Sequence, residues 1–244
     1  RYNITEYFAI DPKLGNLDDF RLLITRAHER GIKVVLDGVF NHCGRGFFAF
    51  DDLLENQQRS VYRDWFYVKQ YPVDAYSPGE AKTYEAWWGF KSLPKFNVSN
   101  PGVRDYLFRA IRFWTEQGID GWRLDVPNEI DDDAFWFEFR TLVKGINPDA
   151  YLVGEIWDIN PRWVGDAHFD GLMNYPLRAA ILDYVNAKIA SQQFIEKVQE
   201  ITRAYSEENL FSHLNLLGSH DTERILRMCQ SDKQRLFMAF CLIF

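Results

Sequence analysis

Residues 17–40 read LDDFRLLITRAHERGIKVVLDGVF, a helix, a stop and a strand in one run. Leu17, Phe20, Leu23, Ile24 and Ala27 recur at helical spacing and predict an apolar face over residues 17–30. Gly31 ends that segment. The β-branched run IKVVLDGVF at 32–40 is apolar enough to predict a strand buried on both faces. The cycle then recurs. Asn100 and Pro101 form a cap and first turn for a helix over 103–117, Gly118 stops it, and IDGWRLDV at 119–126 follows as a strand. A helix over 131–144, stopped by Gly145 and Pro148, leads into AYLVGEI at 150–156. Further strands are expected at 2–8, 169–173 and 213–217, and further helices at 177–190, 193–206 and 233–244.

Near-continuous apolar strands alternating with helices predict an α/β fold, a parallel sheet covered by helices. Six such strands suit a doubly wound sheet or most of an eight-stranded barrel, and periodicity does not choose between them. Residues 43–99 break the cycle. They are too long for a connecting loop and hold Phe47, Phe48, Phe50, Trp65, Phe66, Tyr67, Trp87 and Trp88, so an inserted small domain is expected there.

Composition narrows the function classes. The chain has 244 residues, of which 47% are hydrophobic and 26% charged, enough to bury a substantial core. Its formal charge of −7 argues against a nucleic acid or an anionic membrane as partner. No apolar run is long enough to span a bilayer. The start carries neither a signal peptide nor an initiator Met, so Arg1 is expected to lie inside a longer chain. Cys43, Cys229 and Cys241 are widely spaced without a CxxC, which predicts free thiols and a reducing, cytoplasmic setting. Aromatic residues make up 16% of the chain; core packing absorbs many of them, and stacking on flat sugar faces is the second reading of the rest.

Polar residues gather where the predicted strands end, the ligand face of parallel α/β folds. Asn41 and His42 follow the first cycle, Arg123 and Asp125 close the second, Glu155 closes the third, and Ser219, His220 and Asp221 follow residues 213–217. Arg123 and Asp125 are two apart, so a strand turns both to one face, where the guanidinium would favour an ionised Asp125 suited to nucleophilic attack. Glu155, beside apolar Val153, suits a general acid. Two carboxyl groups tuned in opposite directions equip glycoside cleavage. The same residues could instead be ion pairs holding the core. A metal-dependent hydrolase using Asp37, His42, Glu155, His220 and Asp221 is the other mechanistic reading, but no HxH or HExxH spacing supports it.

Four segments, DGVFNH (37–42), GWRLDVPNE (121–129), GEIW (154–157) and SHDTER (219–224), resemble in order the four signatures of the α-amylase family. YNITEYFAID (2–11) and LPKFN (93–97) resemble two minor ones. VPNE and Lys95 are similar to the neopullulanase, cyclomaltodextrinase and maltogenic amylase group, whose usual forms are VANE and MPKLN; Pro127, Leu93 and Phe96 depart from them at positions bearing on substrate preference.

The resemblance implies a (β/α)8 TIM barrel, truncated so that its second to seventh strands are present. Residues 1–42 and 100–244 would form the barrel, and 43–99 a small domain inserted after the third strand. It implies that Asp125 is the nucleophile, Glu155 the general acid/base and Asp221 the third carboxylate. Tyr2, His42, Arg123, Asn128, Glu129 and His220 would bind substrate. It further implies a retaining hydrolase of α-1,4 glucosidic bonds in cyclodextrins, pullulan, starch or maltooligosaccharides, with α-1,6 cleavage and transglycosylation as extensions. An oligo-1,6-glucosidase or a transglycosylating amylase is the nearest alternative, and an inactive amylase-like binding or partner subunit is the alternative of another class. No cofactor is expected. Asn41 matches a calcium ligand of the true α-amylases, but the related group commonly lacks that site and no metal is expected within this segment. The partner is an α-glucan, and a homodimer is the expectation left open for the full-length protein.

Overall fold

Asn16 starts the first helix. Its side chain accepts the N–H groups of Asp18 and Asp19 at 2.8 and 3.2 Å, while the Asp19 carboxylate takes the Asn16 N–H at 2.9 Å, so three otherwise orphaned donors are satisfied. In the computed structural model, which describes residues 2–243, helix α1 therefore spans Leu17–His28. Of its predicted apolar face only Ile24 is fully buried, and Leu23 is 57% exposed. Leu23 lies at the margin of that arc, a third of a turn from Ile24.

The chain divides into two compact units, Arg1–Tyr151 and Leu152–Phe244. The first contains α1, strand β1 (Val35–Gly38), helices α2 (Phe48–Asn56) and α3 (Pro101–Thr115), strand β2 (Gly121–Leu124) and helix α4 (Asp133–Ile146). Strand β3 (Tyr151–Gly154) begins on its last residue. β1 and β2 pair in parallel with Asp37 opposite Arg123 and Gly38 opposite Leu124. That register puts the Asp37 and Arg123 side chains on one face. Asn100 caps α3 by accepting from Gly102 at 2.8 Å, and Asp132 caps α4 by accepting from Phe135 at 3.0 Å. The inward faces of α3 and α4 bury Leu107, Ile111, Phe135, Trp136 and Phe139 completely. Burial on this scale stabilises by roughly 2–3 kcal/mol per side chain.

Residues 43–99 hold a small core of Phe47, Phe50, Leu53, Tyr84 and Phe96. Single antiparallel bridges, His42 with Lys95, Phe66 with Phe96 and Ala86 with Pro94, close the segment on itself. Helix α2 within it has no side-chain cap, which leaves no start signal in the sequence.

The strand expected at 2–8 is absent. Its polar groups go elsewhere: the Ile4 carbonyl accepts from the Gly44 N–H at 2.7 Å, and the buried Tyr7 side-chain hydroxyl lies 3.0 Å from the Val39 and His42 carbonyls. The segment is pinned by these contacts rather than by a ladder.

In the second unit β3 pairs in parallel with β4 (Gly171–Leu172) through Val153 opposite Gly171 and Gly154 opposite Leu172. Helices α5 (Tyr175–Val185), α6 (Ser191–Ala204), α7 (Glu207–Phe211), α8 (Ile225–Met228) and α9 (Lys233–Ile243) follow. The strand expected at 213–217 reduces to one parallel bridge between Leu214 and Met173. Leu214 donates to Leu172 and accepts from Asn174, both at 2.9 Å, before Asn215 turns to take the Asn174 side-chain amide. Ile181, Leu182, Val185, Leu217, Cys229 and Ala239 form this unit's core. The end of the helix expected at 233–244, Phe244, lies outside the described residues. No helix among them is long and apolar enough to cross a membrane.

One close approach is decisive for the first unit. A Cβ on Gly121 would lie 2.1 Å from the Tyr151 carbonyl oxygen, a backbone atom that no rotamer change can move. Gly121→Ala is expected to cost about 3 kcal/mol or more, read as a lowered denaturation midpoint. A variant as stable as the parent would show that β2 shifts freely.

Candidate active site

The geometry in the first unit begins with the β1–β2 register. Because Asp37 faces Arg123, the Arg123 Nη1 donates to Asp37 Oδ1 at 2.7 Å, and the same nitrogen reaches Asp125 Oδ1 at 2.9 Å. The Arg123 and Asp125 side chains are 11% and 10% exposed, so this ion pair is screened far less than a surface pair. The Asp125 N–H donates to Gly38 at 3.0 Å, which fixes its backbone to the end of β1. Val126 then takes φ 35° and ψ 52°. A β-branched residue in the left-handed region is strained by about 1–3 kcal/mol, and such strain persists only where its surroundings enforce it. It turns the chain sharply into Pro127–Glu129, leaving Asn128 exposed and Glu129 half-buried.

His42 lies beyond the same C-terminal end of β1 and is 1% exposed. Asn41 Nδ2 donates to His42 Nδ1 across 3.2 Å, which places the ring proton on Nε2. Nε2 has no hydrogen-bond partner among the described residues. Burial, with the Lys95 charge adding to it, pushes the His42 pKa from 6.5 down to about 4. The imidazole is therefore neutral near pH 7, with its N–H available. Its ring stacks on Trp87 at 5.5 Å between centroids. Lys95 also holds the loop after Asp125, since its Nζ donates to the Glu129 carbonyl at 2.9 Å and lies 3.6 Å from the Glu129 carboxylate. Tyr2 is half-buried just ahead of Asn3, whose backbone packs on Gly44 so tightly that a Cβ there would come within 2.6 Å. Arg123, Asp125, His42, Glu129 and the Tyr2 segment thus all rest on the end of the β1–β2 pair or the loops that leave it.

In the second unit Glu155 follows β3 directly and is 4% exposed. Trp157 Nε1 donates to Glu155 Oε1 at 3.2 Å. The Trp157 ring stacks on Tyr175 at 3.7 Å, and the Tyr175 hydroxyl meets Ser219 Oγ at 3.1 Å. Ser219 Oγ in turn accepts the Asp221 N–H at 3.2 Å, and His220 Nε2 lies 3.0 Å from Asp221 Oδ2. Glu155, His220 and Asp221, expected separately from sequence, belong to one connected network. Asp221 and His220 are its open end, with side chains 39% and 49% exposed.

Sequence reasoning missed Trp157, Tyr175 and Trp87 as parts of this geometry. Trp157 was within reach, because it closes GEIW two residues after Glu155. Tyr175 opens a helix after a cap Asn and gives no chemical signal. Asn41 Oδ1 is buried without a hydrogen-bond partner, but calcium takes six to eight oxygens and a lone amide does not make a site. Among the described residues no three His, Cys, Asp or Glu side chains gather to hold a metal ion.

The family "Alpha amylase, catalytic domain" matches residues 1–244. Neopullulanase 2 of Thermoactinomyces vulgaris is 44% identical over 240 residues, 98% of this chain and 40% of that protein. A cyclomaltodextrinase of Bacillus sp is 41% identical over 98% of this chain and 43% of its own length. Among solved structures, the ligand-free cyclic α-maltosyl-(1→6)-maltose hydrolase of Arthrobacter globiformis superposes with a TM-score of 0.94 at 40% identity, covering 99% of this chain and 54% of that one. The chain spans about two fifths of the length of the curated relatives it matches. With the family matched along its whole length and its signature residues held in this geometry, the chain belongs to the α-amylase family and is catalytic-domain sequence of that family.

Proposed function

We propose that the full-length protein is a retaining glycoside hydrolase that cleaves α-1,4 glucosidic bonds in cyclodextrins, pullulan, starch or maltooligosaccharides, with α-1,6 cleavage and transglycosylation within its reach. The observation that carries this reading is the buried Arg123–Asp125 pair, anchored to β1 and accompanied by a neutral His42 with an unpartnered Nε2. The relatives named above are a neopullulanase and a cyclomaltodextrinase, which supports putting pullulan and cyclodextrins among the proposed substrates.

In this reading Asp125 attacks the anomeric carbon and displaces the glycosidic oxygen, while Glu155 delivers its proton to that oxygen as the bond breaks. A glycosyl ester on Asp125 results. Glu155, now a carboxylate, takes a proton from water, whose oxygen then attacks the same carbon and frees Asp125. Arg123 keeps Asp125 ionised and aimed, and His42 Nε2 donates to a sugar hydroxyl beside it. Asp221 and His220 bind hydroxyls of the distorted sugar. Tyr2 offers a ring face, and Asn128 and Glu129 face the acceptor side. No cofactor takes part.

The same proposal assigns β1 to β4 to the third to sixth strand positions of a (β/α)8 barrel and residues 2–8 and 213–217 to its second and seventh, residues 43–99 to its inserted small domain, and a homodimer to the full-length protein. Three free cysteines agree with a cytoplasmic setting.

In the full-length protein, Asp125→Ala is expected to lower kcat on maltooligosaccharides by several orders of magnitude while the melting temperature stays within a few degrees. Glu155→Gln should cripple turnover of natural glucans yet spare the first step on aryl glycosides with good leaving groups. NMR detection of a β-anomeric first product would reject the retaining route.

His42 yields a separate expectation. The unfolded histidine binds its proton near pH 6.5 and the folded one only near 4, so the unfolded state holds more protons across that window. Stability should therefore rise with pH between about 4 and 6.5, by up to about 3 kcal/mol from this group. Histidine NMR should give a midpoint well below 6 for His42, and Lys95→Met should raise it. A midpoint near 6.5 would contradict the burial argument.

A further inference from the structure

His42 is buried, yet little holds its ring in one orientation. Among the described residues the imidazole makes one hydrogen bond, from the side-chain amide of its neighbour Asn41 at 3.2 Å. Its one ring contact is with Trp87, at 5.5 Å between centroids and 25° between planes. The torsion that turns a histidine ring is soft, and a single long hydrogen bond from an adjacent residue opposes it weakly. The offset stack opposes it directly, because turning the imidazole would drive its edge into the indole face.

Three short extended segments bring Trp87 to this place. The Asn41 carbonyl accepts from the Phe96 N–H at 3.0 Å, and the Cys43 N–H donates to Pro94 at 3.1 Å. Residues 93–96 are paired on their other side as well: the Lys95 N–H donates to Glu85 and the Trp87 N–H to Leu93, each at 3.0 Å. His42 and Trp87 therefore lie on the two outer segments with 93–96 between them. The indole is backed by Trp88, stacked at 4.9 Å and 10°.

The placement is unfavourable in two respects. Trp87 Nε1 is buried without a hydrogen-bond partner among the described residues. Trp88 takes φ 48° and ψ 28°, left-handed and strained for a bulky side chain. A tryptophan placed for packing alone usually gives its N–H to a carbonyl or to water. Here the N–H goes unmatched while the ring face lies on His42.

We propose that Trp87 is a positioning residue whose indole face locks the His42 imidazole, so that the Nε2 N–H keeps the one direction from which it donates to a sugar hydroxyl. The assignment rests on the α-glucan reading given above. Trp87 touches no sugar in this role. Its contribution is exerted through His42 and vanishes when the imidazole is removed.

The test uses the full-length protein. Trp87→Leu fills most of the volume without a flat face, and Trp87→Phe keeps a face without an N–H. In Trp87→Leu the KM for maltotriose is expected to rise about tenfold with kcat within about threefold of the parent, the loss of one hydrogen bond made equally in ground and transition states. Trp87→Phe should hold KM within about threefold. In a His42→Ala background, Trp87→Leu should change KM by less than about twofold. Nitrogen NMR of labelled histidine in the unliganded protein should show His42 protonated at Nε2 alone, and a mixture of both tautomers in Trp87→Leu. A Trp87→Phe as impaired as Trp87→Leu assigns the effect to the indole N–H and overturns the proposal. So does a Trp87→Leu penalty of the same size with and without His42, or an unchanged His42 spectrum in Trp87→Leu. Absence of activity on α-glucans in the unsubstituted protein would reject the α-glucan reading instead, and the histidine spectra would still decide whether Trp87 orients His42.

Discussion

One nitrogen of Arg123 serves two carboxylates. Its Nη1 reaches Asp37 at 2.7 Å and Asp125 at 2.9 Å, and both contacts follow from the register that sets Asp37 opposite Arg123. A one-residue slip of β2 would turn Arg123 and Asp125 together to the opposite face and leave the Asp37 carboxylate without its cation. Register and electrostatics are therefore the same constraint here. Gly121, at the start of β2, enforces it from below, because only a residue without a Cβ lets the Tyr151 carbonyl approach.

Around that fixed pair the charges are unevenly mobile. Asp125 is anchored at its backbone and its side chain, whereas His42 holds no charge near neutrality and offers one proton donor. Lys95 links the two surroundings, lowering the His42 pKa while tethering Glu129, which follows Asp125 by four residues. The segment 43–99 thereby contributes a positive charge to a site whose carboxylates come from strand ends.

Much of this was legible in residue order. The helices around Leu17, Val103 and Phe135 were announced by their glycine stops and the second also by Asn100 at its start, and the parallel strands by their apolar runs; the Asn16 and Asp132 caps emerged only on folding. Residues 2–8 and 213–217 were overread because an alternating or apolar run does not say whether a partner strand lies beside it. Leu214 found one bridge, and Tyr7 used its hydroxyl instead. Helix α2 was missed because no side chain caps it. The positions of Arg123, Asp125 and Glu155 at the ends of β2 and β3 were readable from residue order. Trp157 and Tyr175 were not, since their contribution lies in a stacked pair that forms only after folding.

That stacked pair ties the second unit's carboxylates together. Glu155 rests on Trp157, Trp157 on Tyr175, Tyr175 on Ser219, and Ser219 on the backbone of Asp221. In evolutionary terms these positions are epistatic. A smaller ring at 175 would loosen the indole that steadies Glu155 and the hydroxyl that steadies residues 219–221, so its cost would depend on what occupies 157 and 219. Single-site libraries would undervalue such a change, and paired replacement of 157 with 175 is the route by which this network could be remodelled.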